Sequence, residues 1–424
     1  PGREPRSDTW IVKGVWAVYQ LADLMWSSKQ APFLVTETNA SSIGFSNFNQ
    51  SVYDGQWRQA AWALVSRGAR MIEYWQWQTL HFGAETYWGG VLPHSRQPGR
   101  VYRELATLGA EFTAVGETVA TTTPDADVAI LFDSDSKFAL AAQSPFPSPA
   151  TYFDRDAYRR IESAFERGAF DAGLQVRVVR RQQVFAETPA DSAAEHSVLV
   201  VAGFYIASDE HLDWLADYAR AGGHLVLGPR SAYADLEARA RLEVKPARLT
   251  DAAGVWFDEF ANLESPVAVT STLIPLSAGS EVVDWLDGLT PVTADTLVAY
   301  DHPHFGRWSA VTSRAVGDGR LTVVGGLPNQ AFSESLFRWL VPEPTASWGD
   351  LPPSVRVTSS SARSTGLRVL FVHNWSADEV TVSVPTGAVG VTDLLSGAPL
   401  GSELALGPWD VRILSTSTHE TAAS

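Results

Sequence analysis

The chain has 424 residues, 45% of them apolar and 19% charged, with 16 tryptophans, a composition that builds folded cores and argues against a mainly disordered protein. Its 48 acidic residues outnumber the 32 basic ones, for a net charge of −16, so binding to nucleic acid or to an anionic membrane surface is disfavoured and a neutral ligand is expected. There is no cysteine, which removes disulfides, thiol nucleophiles and Cys-ligated zinc or iron–sulfur centres.

At roughly 150 residues per domain the length suggests two to four domains, and the texture of the sequence suggests three. The polar start, Pro1 to Asp8, carries no apolar signal segment, and no run reaches the ~18 apolar residues of a membrane span. The expectation is therefore a soluble, cytoplasmic protein.

In the first stretch, apolar residues at helical spacing (Ile11, Val15, Val18, Leu21, Leu24, Met25) predict a helix over 9–27. A buried strand over 32–36, a helix over 54–67, an apolar strand over 69–77 and a helix over 98–118 follow. Apolar strands alternating with helices are the pattern of a parallel sheet covered by helices, and two strands are too few for an independent one. A Thr-rich seam, Thr121 to Pro124, ends this part.

The second stretch restarts with strands predicted over 127–132, 174–179, 197–202 and 224–227, and helices over 154–172 and 209–221. A hairpin over 308–324 turning at Gly317-Asp318-Gly319 and a closing helix over 329–340 complete it. This is a doubly wound α/β pattern. The turn after its first strand, Asp133-Ser134-Asp135-Ser136, puts carboxylates where a phosphate would sit, so no nucleotide cofactor is expected and the two aspartates read as solvated loop acids. Four prolines between Pro342 and Ser354 predict an extended linker. Short alternating strands over 367–374, 380–385, 389–393 and 411–415 then predict a small antiparallel β-domain, with a polar tail from Thr416.

Glu37 is the sharpest chemical feature. It closes the apolar run Phe33-Leu34-Val35 and precedes small polar residues, which puts a carboxylate at the C-terminal mouth of a parallel strand, where barrel enzymes hold catalytic groups. Capping of the following loop or helix is the alternative. The next strand brings Glu73-Tyr74-Trp75-Gln76-Trp77-Gln78 to the same end, followed by His81, Phe82, Glu85, Tyr87 and Trp88. Aromatic faces stack on the C–H surfaces of sugars, and amides and carboxylates bind their hydroxyls, so the mixture suits a neutral polyol. One of Trp75 and Trp77 is expected in the core, because alternate strand residues face opposite sides. His302 and His304 form a His-x-His pair without a third ligand, and no metal site is expected there.

Five segments together resemble the glycoside hydrolase family 42 β-galactosidases: Pro32-Phe33-Leu34-Val35-Thr36-Glu37, Phe45-Ser46-Asn47-Phe48-Asn49, Gln76-Trp77, Gly83-Ala84-Glu85-Thr86-Tyr87-Trp88 and Val101-Tyr102-Arg103-Glu104-Leu105. The resemblance implies that residues 1–120 are the C-terminal part of a (β/α)8 TIM barrel. It also implies a flavodoxin-like trimerisation domain over 125–342 and an antiparallel β-domain over 350–418. Glu37 falls on the nucleophile of a retaining β-galactosidase and Glu85 on the glutamate that binds galactose hydroxyls, with Phe45, Gln76, Trp77, His81 and Trp88 as further substrate contacts. Phe45 stands where many members have tryptophan, and Trp88 where many have histidine. No cofactor is implied, and the cysteine-based zinc site of some members is absent. The partner implied is a β-galactoside, in a homotrimer. The acid/base carboxylate of the family lies on an earlier barrel strand, upstream of Pro1, so the chain by itself is expected to be inactive. An α-L-arabinopyranosidase or β-D-fucosidase of the same family, another retaining barrel hydrolase, and a non-catalytic sugar-binding or assembly protein on the same scaffold are the competing readings.

Overall fold

The computed structural model describes residues 14–43, 49–148, 152–385 and 390–417. The chain divides into two compact units, Pro1–Asp125 with Thr345–Ser424 and Ala126–Pro344. No helix among the described residues is long and apolar enough to cross a membrane.

In the first unit, helix α1 (Val15–Trp26) precedes strand β1 (Phe33–Asn39), helix α2 (Gln56–Ser66), strand β2 (Ala69–Trp75) and helix α3 (Arg100–Ala120). β1 and β2 pair in parallel, and α2 lies within the crossover that parallel pairing requires. The entry to α2 needs glycine: Gly55 has φ 89°, and a Cβ there would lie 3.1 Å from Trp409 Cβ. Two expectations fail here. β1 is not buried, since Leu34 is 58% exposed, and neither tryptophan is core, Trp75 and Trp77 being 41% and 62% exposed. The cause is shared: β1 and β2 form a two-stranded sheet whose one face packs through Ile72 and Tyr74 toward α2 and α3, while no element among the described residues covers the other. No closed barrel forms among the described residues.

The chain after Thr345 completes this unit with a five-stranded sheet in the order Thr392–Asp393, Val411–Ser417, Leu367–Asn374, Val355–Ala362, Thr123–Pro124. The seam expected at Thr121 to Pro124 thus supplies a strand. Ala61, Trp62, Leu108 and Val115 share one core with Val369, Phe371, Val411 and Ile413. Arg58 clamps the same contact: Nε donates to both oxygens of Glu111 at 2.7 and 2.8 Å, and Nη1 donates to Asp410 Oδ1 at 2.9 Å and Val411 O at 2.8 Å. The Pro-rich segment is docked rather than free, because Ala346 and Trp348 bury their side chains against Val357 and Leu370.

The second unit contains β3 (Val128–Phe132), α4 (Ser134–Ala142), α5 (Ala157–Asp171), β4 (Val176–Arg180), β5 (Val198–Val201), α6 (Asp209–Arg220), β6 (His224–Leu227), β7 (Ser309–Val316), β8 (Gly319–Val324) and α7 (Gln330–Leu340). Its parallel strands lie in the order β4-β3-β5-β6-β8, the flavodoxin-like 2-1-3-4-5 arrangement. β7 pairs antiparallel with β8 through the predicted hairpin, and the sheet continues through Asp295–Tyr300, Val267–Thr270 and Glu281–Asp287. Asp133 is not a solvated loop acid. It is buried at the N-terminus of α4, accepts from Ser136 N at 2.8 Å and pairs with Arg181, which also binds the exposed Asp135.

Candidate active site

β1 and β2 run in register at Val35↔Ile72 and again at Thr38↔Tyr74. Between these pairs two residues of β1, Thr36 and Glu37, face the single residue Glu73, which makes a β-bulge. Its consequence is directional. Strict alternation from exposed Leu34 and Thr36 would turn residue 37 toward the helices; the extra residue keeps Glu37 on the open face with Thr36 and Glu73, and Thr38 turns inward beside Tyr74. The carboxylates of Glu37, Glu73 and Glu85 have no cation or hydrogen-bond partner among the described residues.

Beyond Glu37, Asn39 pairs with Trp75 and Ala40 N donates to Trp75 O at 2.9 Å, so the two strand ends leave the sheet together. The loop after β2 is then pinned at its base. Val91 N donates to Gln76 O at 2.7 Å, Leu92 N to Trp77 O at 2.8 Å and Thr79 N to Leu92 O at 2.9 Å. Gly90 is required at this base, because a Cβ would lie 2.6 Å from Thr79 N. The excursion between these contacts holds the half-buried Glu85 and Trp88. Gln76 Nε2 is buried with no acceptor among the described residues. Asn49 Nδ2 donates to Tyr87 O at 2.7 Å, which ties the segment following β1 to the neighbour of Trp88. Phe45 lies outside the described residues.

His81 stands at the start of the excursion, its Nε2 3.1 Å from Gln78 Nε2 and 3.3 Å from Arg96 Nη2. Trp77 meets Tyr102 edge-on at 6.2 Å between ring centroids. Glu104, in the last of the five segments, is structural: Gly55 N donates to its Oε1 at 2.9 Å at the start of α2, and burial pushes its carboxyl above the usual range. His302 Nδ1 accepts from the backbone of His304 and Phe305 at 3.1 Å, closing a turn, and no group of three or more metal-ligating residues occurs among the described residues. Sequence reasoning missed the bulge and Arg96. The first had no local signal, and the second is one arginine in a polar loop.

An α/β crossover presenting carboxylates unpaired among the described residues beside exposed indoles and amides, in a chain that also carries a doubly wound unit and an antiparallel β-sheet, makes a multidomain protein whose site suits a polyhydroxylated ligand. Residues 126–345, more than half of the chain, match the family model described as β-galactosidase trimerisation domain. Residues 11–115 match that described as β-galactosidase and residues 355–416 the β-galactosidase C-terminal domain. The chain belongs to the glycoside hydrolase family 42 β-galactosidases.

It is similar to β-galactosidase Bga of Halorubrum lacusprofundi, 26% identical over 415 residues, a match covering 92% of this chain and 56% of the relative. For β-galactosidase BgaH of Haloferax lucentense the identity is 27% over 365 residues, covering 86% and 50%. The chain thus spans about half the length of these relatives. The fold is similar to the solved β-galactosidases of Bacillus circulans sp. alkalophilus (TM-score 0.84, 21% identity, 98% of this chain and 59% of that one) and Halorubrum lacusprofundi (0.79, 24%, 98% and 58%).

Proposed function

We propose that the protein hydrolyses terminal non-reducing β-D-galactosides by double displacement, with Glu37 as nucleophile. The Glu37 carboxylate attacks the anomeric carbon as the glycosidic C–O bond breaks, and a second carboxyl group ~5–5.5 Å away protonates the leaving oxygen. Water activated by that same group then cleaves the galactosyl ester. Glu85 binds sugar hydroxyls, Gln76 donates its free N–H, His81 contributes a ring N–H, and Phe45, Trp77 and Trp88 supply stacking faces. The observation carrying this reading is the bulge that holds the Glu37 carboxylate, unpaired, on the open face at the strand end shared with Trp75. The named activity of the relatives supports the choice of sugar.

In this reading residues 1–120 are the C-terminal part of a (β/α)8 barrel, 125–342 a flavodoxin-like domain that assembles a homotrimer, and 350–418 a β-domain. The test is made on the protein expressed from its complete reading frame. Turnover of nitrophenyl β-galactoside, glucoside, fucoside and α-L-arabinopyranoside is compared with that of Glu37→Ala, and the first-formed anomer is read by NMR. Loss of at least ~10³-fold in kcat and release of the β-anomer are expected. Equal turnover by the variant removes Glu37 from the mechanism, and light scattering tests the trimer.

A further inference from the structure

The rim beside this site carries a second recognition feature. In a chain with 48 acidic and 32 basic residues, the loop leaving β2 gathers His81, His94 and Arg96. Arg96 closes a turn, its N–H donating to Pro93 O at 2.9 Å, and takes φ +60°, a left-handed conformation that a residue with a Cβ rarely adopts. The guanidinium has no carboxylate partner among the described residues, whereas Arg100, four positions on, is held by Asp54 at 2.7 Å.

The contacts fix the donor directions. Gln78 Nε2 and Arg96 Nη2 lie 3.1 and 3.3 Å from His81 Nε2, and since a guanidinium can only donate, that nitrogen accepts from Arg96. His94 stands 5.9 Å from His81 between ring centroids, its Nε2 bound to Leu80 O at 2.8 Å. The result is an exposed edge on which His81 holds one N–H of Arg96 and the remaining guanidinium N–H groups face out, with no acidic side chain paired to either residue among the described residues. A planar fork of this kind matches the oxygens of a carboxylate or sulfate. The loop base at Gln76 to Thr79 ties this edge to the excursion bearing Glu85.

We propose that the substrate is a galactoside carrying an anionic substituent, a carboxylate or a sulfate ester, outside the galactosyl unit, and that Arg96 with His81 binds it. This rests on the hydrolase reading above. The neutral residues Gln76, Trp77 and Trp88 hold the sugar, and Arg96 selects what is attached to it. Because Arg96 is exposed, its contribution is screened by salt, and the selectivity is therefore largest at low ionic strength.

The test compares three disaccharides on the full-length protein: galactose β-linked to glucose, to glucuronic acid, and to a sulfated glucose. Hydrolysis is followed as kcat/KM, and binding is measured by calorimetry on Glu37→Gln, with and without Arg96→Gln. The expected result is at least a tenfold preference for one or both charged disaccharides at low salt, expressed in KM and in Kd. That preference falls to about one in Arg96→Gln and shrinks with added salt. The two charged arms tell carboxylate from sulfate. Equal binding of charged and neutral disaccharides, or an equal loss for both in Arg96→Gln, overturns the proposal. Selective binding without hydrolysis by the unmutated enzyme overturns the hydrolase reading, and with it the anionic galactoside as substrate, and leaves only its binding by Arg96.

Discussion

Glu37 and Glu73 lie side by side on the open face of the two-stranded sheet because Glu73 is the single β2 residue opposite Thr36 and Glu37. The facing of the proposed nucleophile therefore depends on one extra residue in β1. In a strand, a slip of one position moves a side chain to the other face.

Inserting an alanine between Glu73 and Tyr74 gives Glu37 a β2 partner of its own, which should remove the bulge and, by regular alternation from Leu34 and Thr36, turn Glu37 toward α2 and α3. The expected outcome, on the full-length protein, is loss of nitrophenyl galactoside turnover as deep as in Glu37→Ala, with far-UV circular dichroism unchanged. An insertion variant keeping a tenth of the activity would show that the bulge does not aim the carboxylate.

Arg58 joins α2, α3 and the C-terminal sheet, and its side chain is 17% exposed against 15% for Glu111 and 23% for Asp410. Arg58→Met leaves two partly buried carboxylates without their cation, which should cost about 2–3 kcal/mol in urea unfolding, short of the full value for a dry pair. The double variant Arg58→Met/Glu111→Gln should lose less than the sum of the single changes. Strict additivity would mean that the pair does not interact.

Two buried histidines make the molecule sensitive to acid. Burial, helped by Arg58, holds His373 down to about 3, and burial, helped by Arg320, holds His224 down to about 4. As pH falls below the ordinary histidine value near 6.5 the unfolded chain takes up a proton that the folded one refuses, so each site loses stability by up to about 1.4 kcal/mol per pH unit. Asp287 acts in the opposite sense, because burial pushes its carboxyl up to about 7; the folded state gains stability as pH falls through 7 toward 3.8. Hydrogen exchange between pH 7 and 5 should show the first unit, which holds His373, weakening more steeply than the second, where His224 and Asp287 oppose each other. Parallel weakening would contradict this balance.

Helices α5 and α7 meet at Gly168, where a Cβ would lie 1.9 Å from Ser333 Oγ and 2.8 Å from Ser333 C. Alanine gains up to about 1 kcal/mol in helix propensity, but forcing apart a backbone contact costs about 1–3 kcal/mol, so Gly168→Ala should destabilise. Thermal unfolding should show the second unit's transition several degrees lower, and an unchanged midpoint would mean that the helices separate freely.

The elements legible in the sequence are those whose environment is uniform along their length. Val198–Val201 and His224–Leu227 are central parallel strands covered on both faces, so they read as unbroken apolar runs, and α6 and α7 carry Ser208 and Asn329 as N-caps. Between 228 and 307 most strands are of two to four residues, and even the longer Glu281–Asp287 and Asp295–Tyr300 are defined by the partners they pair with. Thr123–Pro124 likewise has no strand pattern of its own and becomes one by pairing with Ser360 and Ser361.

What the residues determined by themselves was the α/β alternation, the place of Glu37 in the C-terminal half of a strand, which runs on to Asn39, and the aromatic and amide character of the loops around it, because these follow from local polarity and spacing. What only the tertiary structure decided was the facing of Glu37, the exposure of Trp75 and Trp77, and the burial of Asp133 and Trp348. Each depends on a partner far along the chain, and register, cover and ion pairing belong to two segments at once.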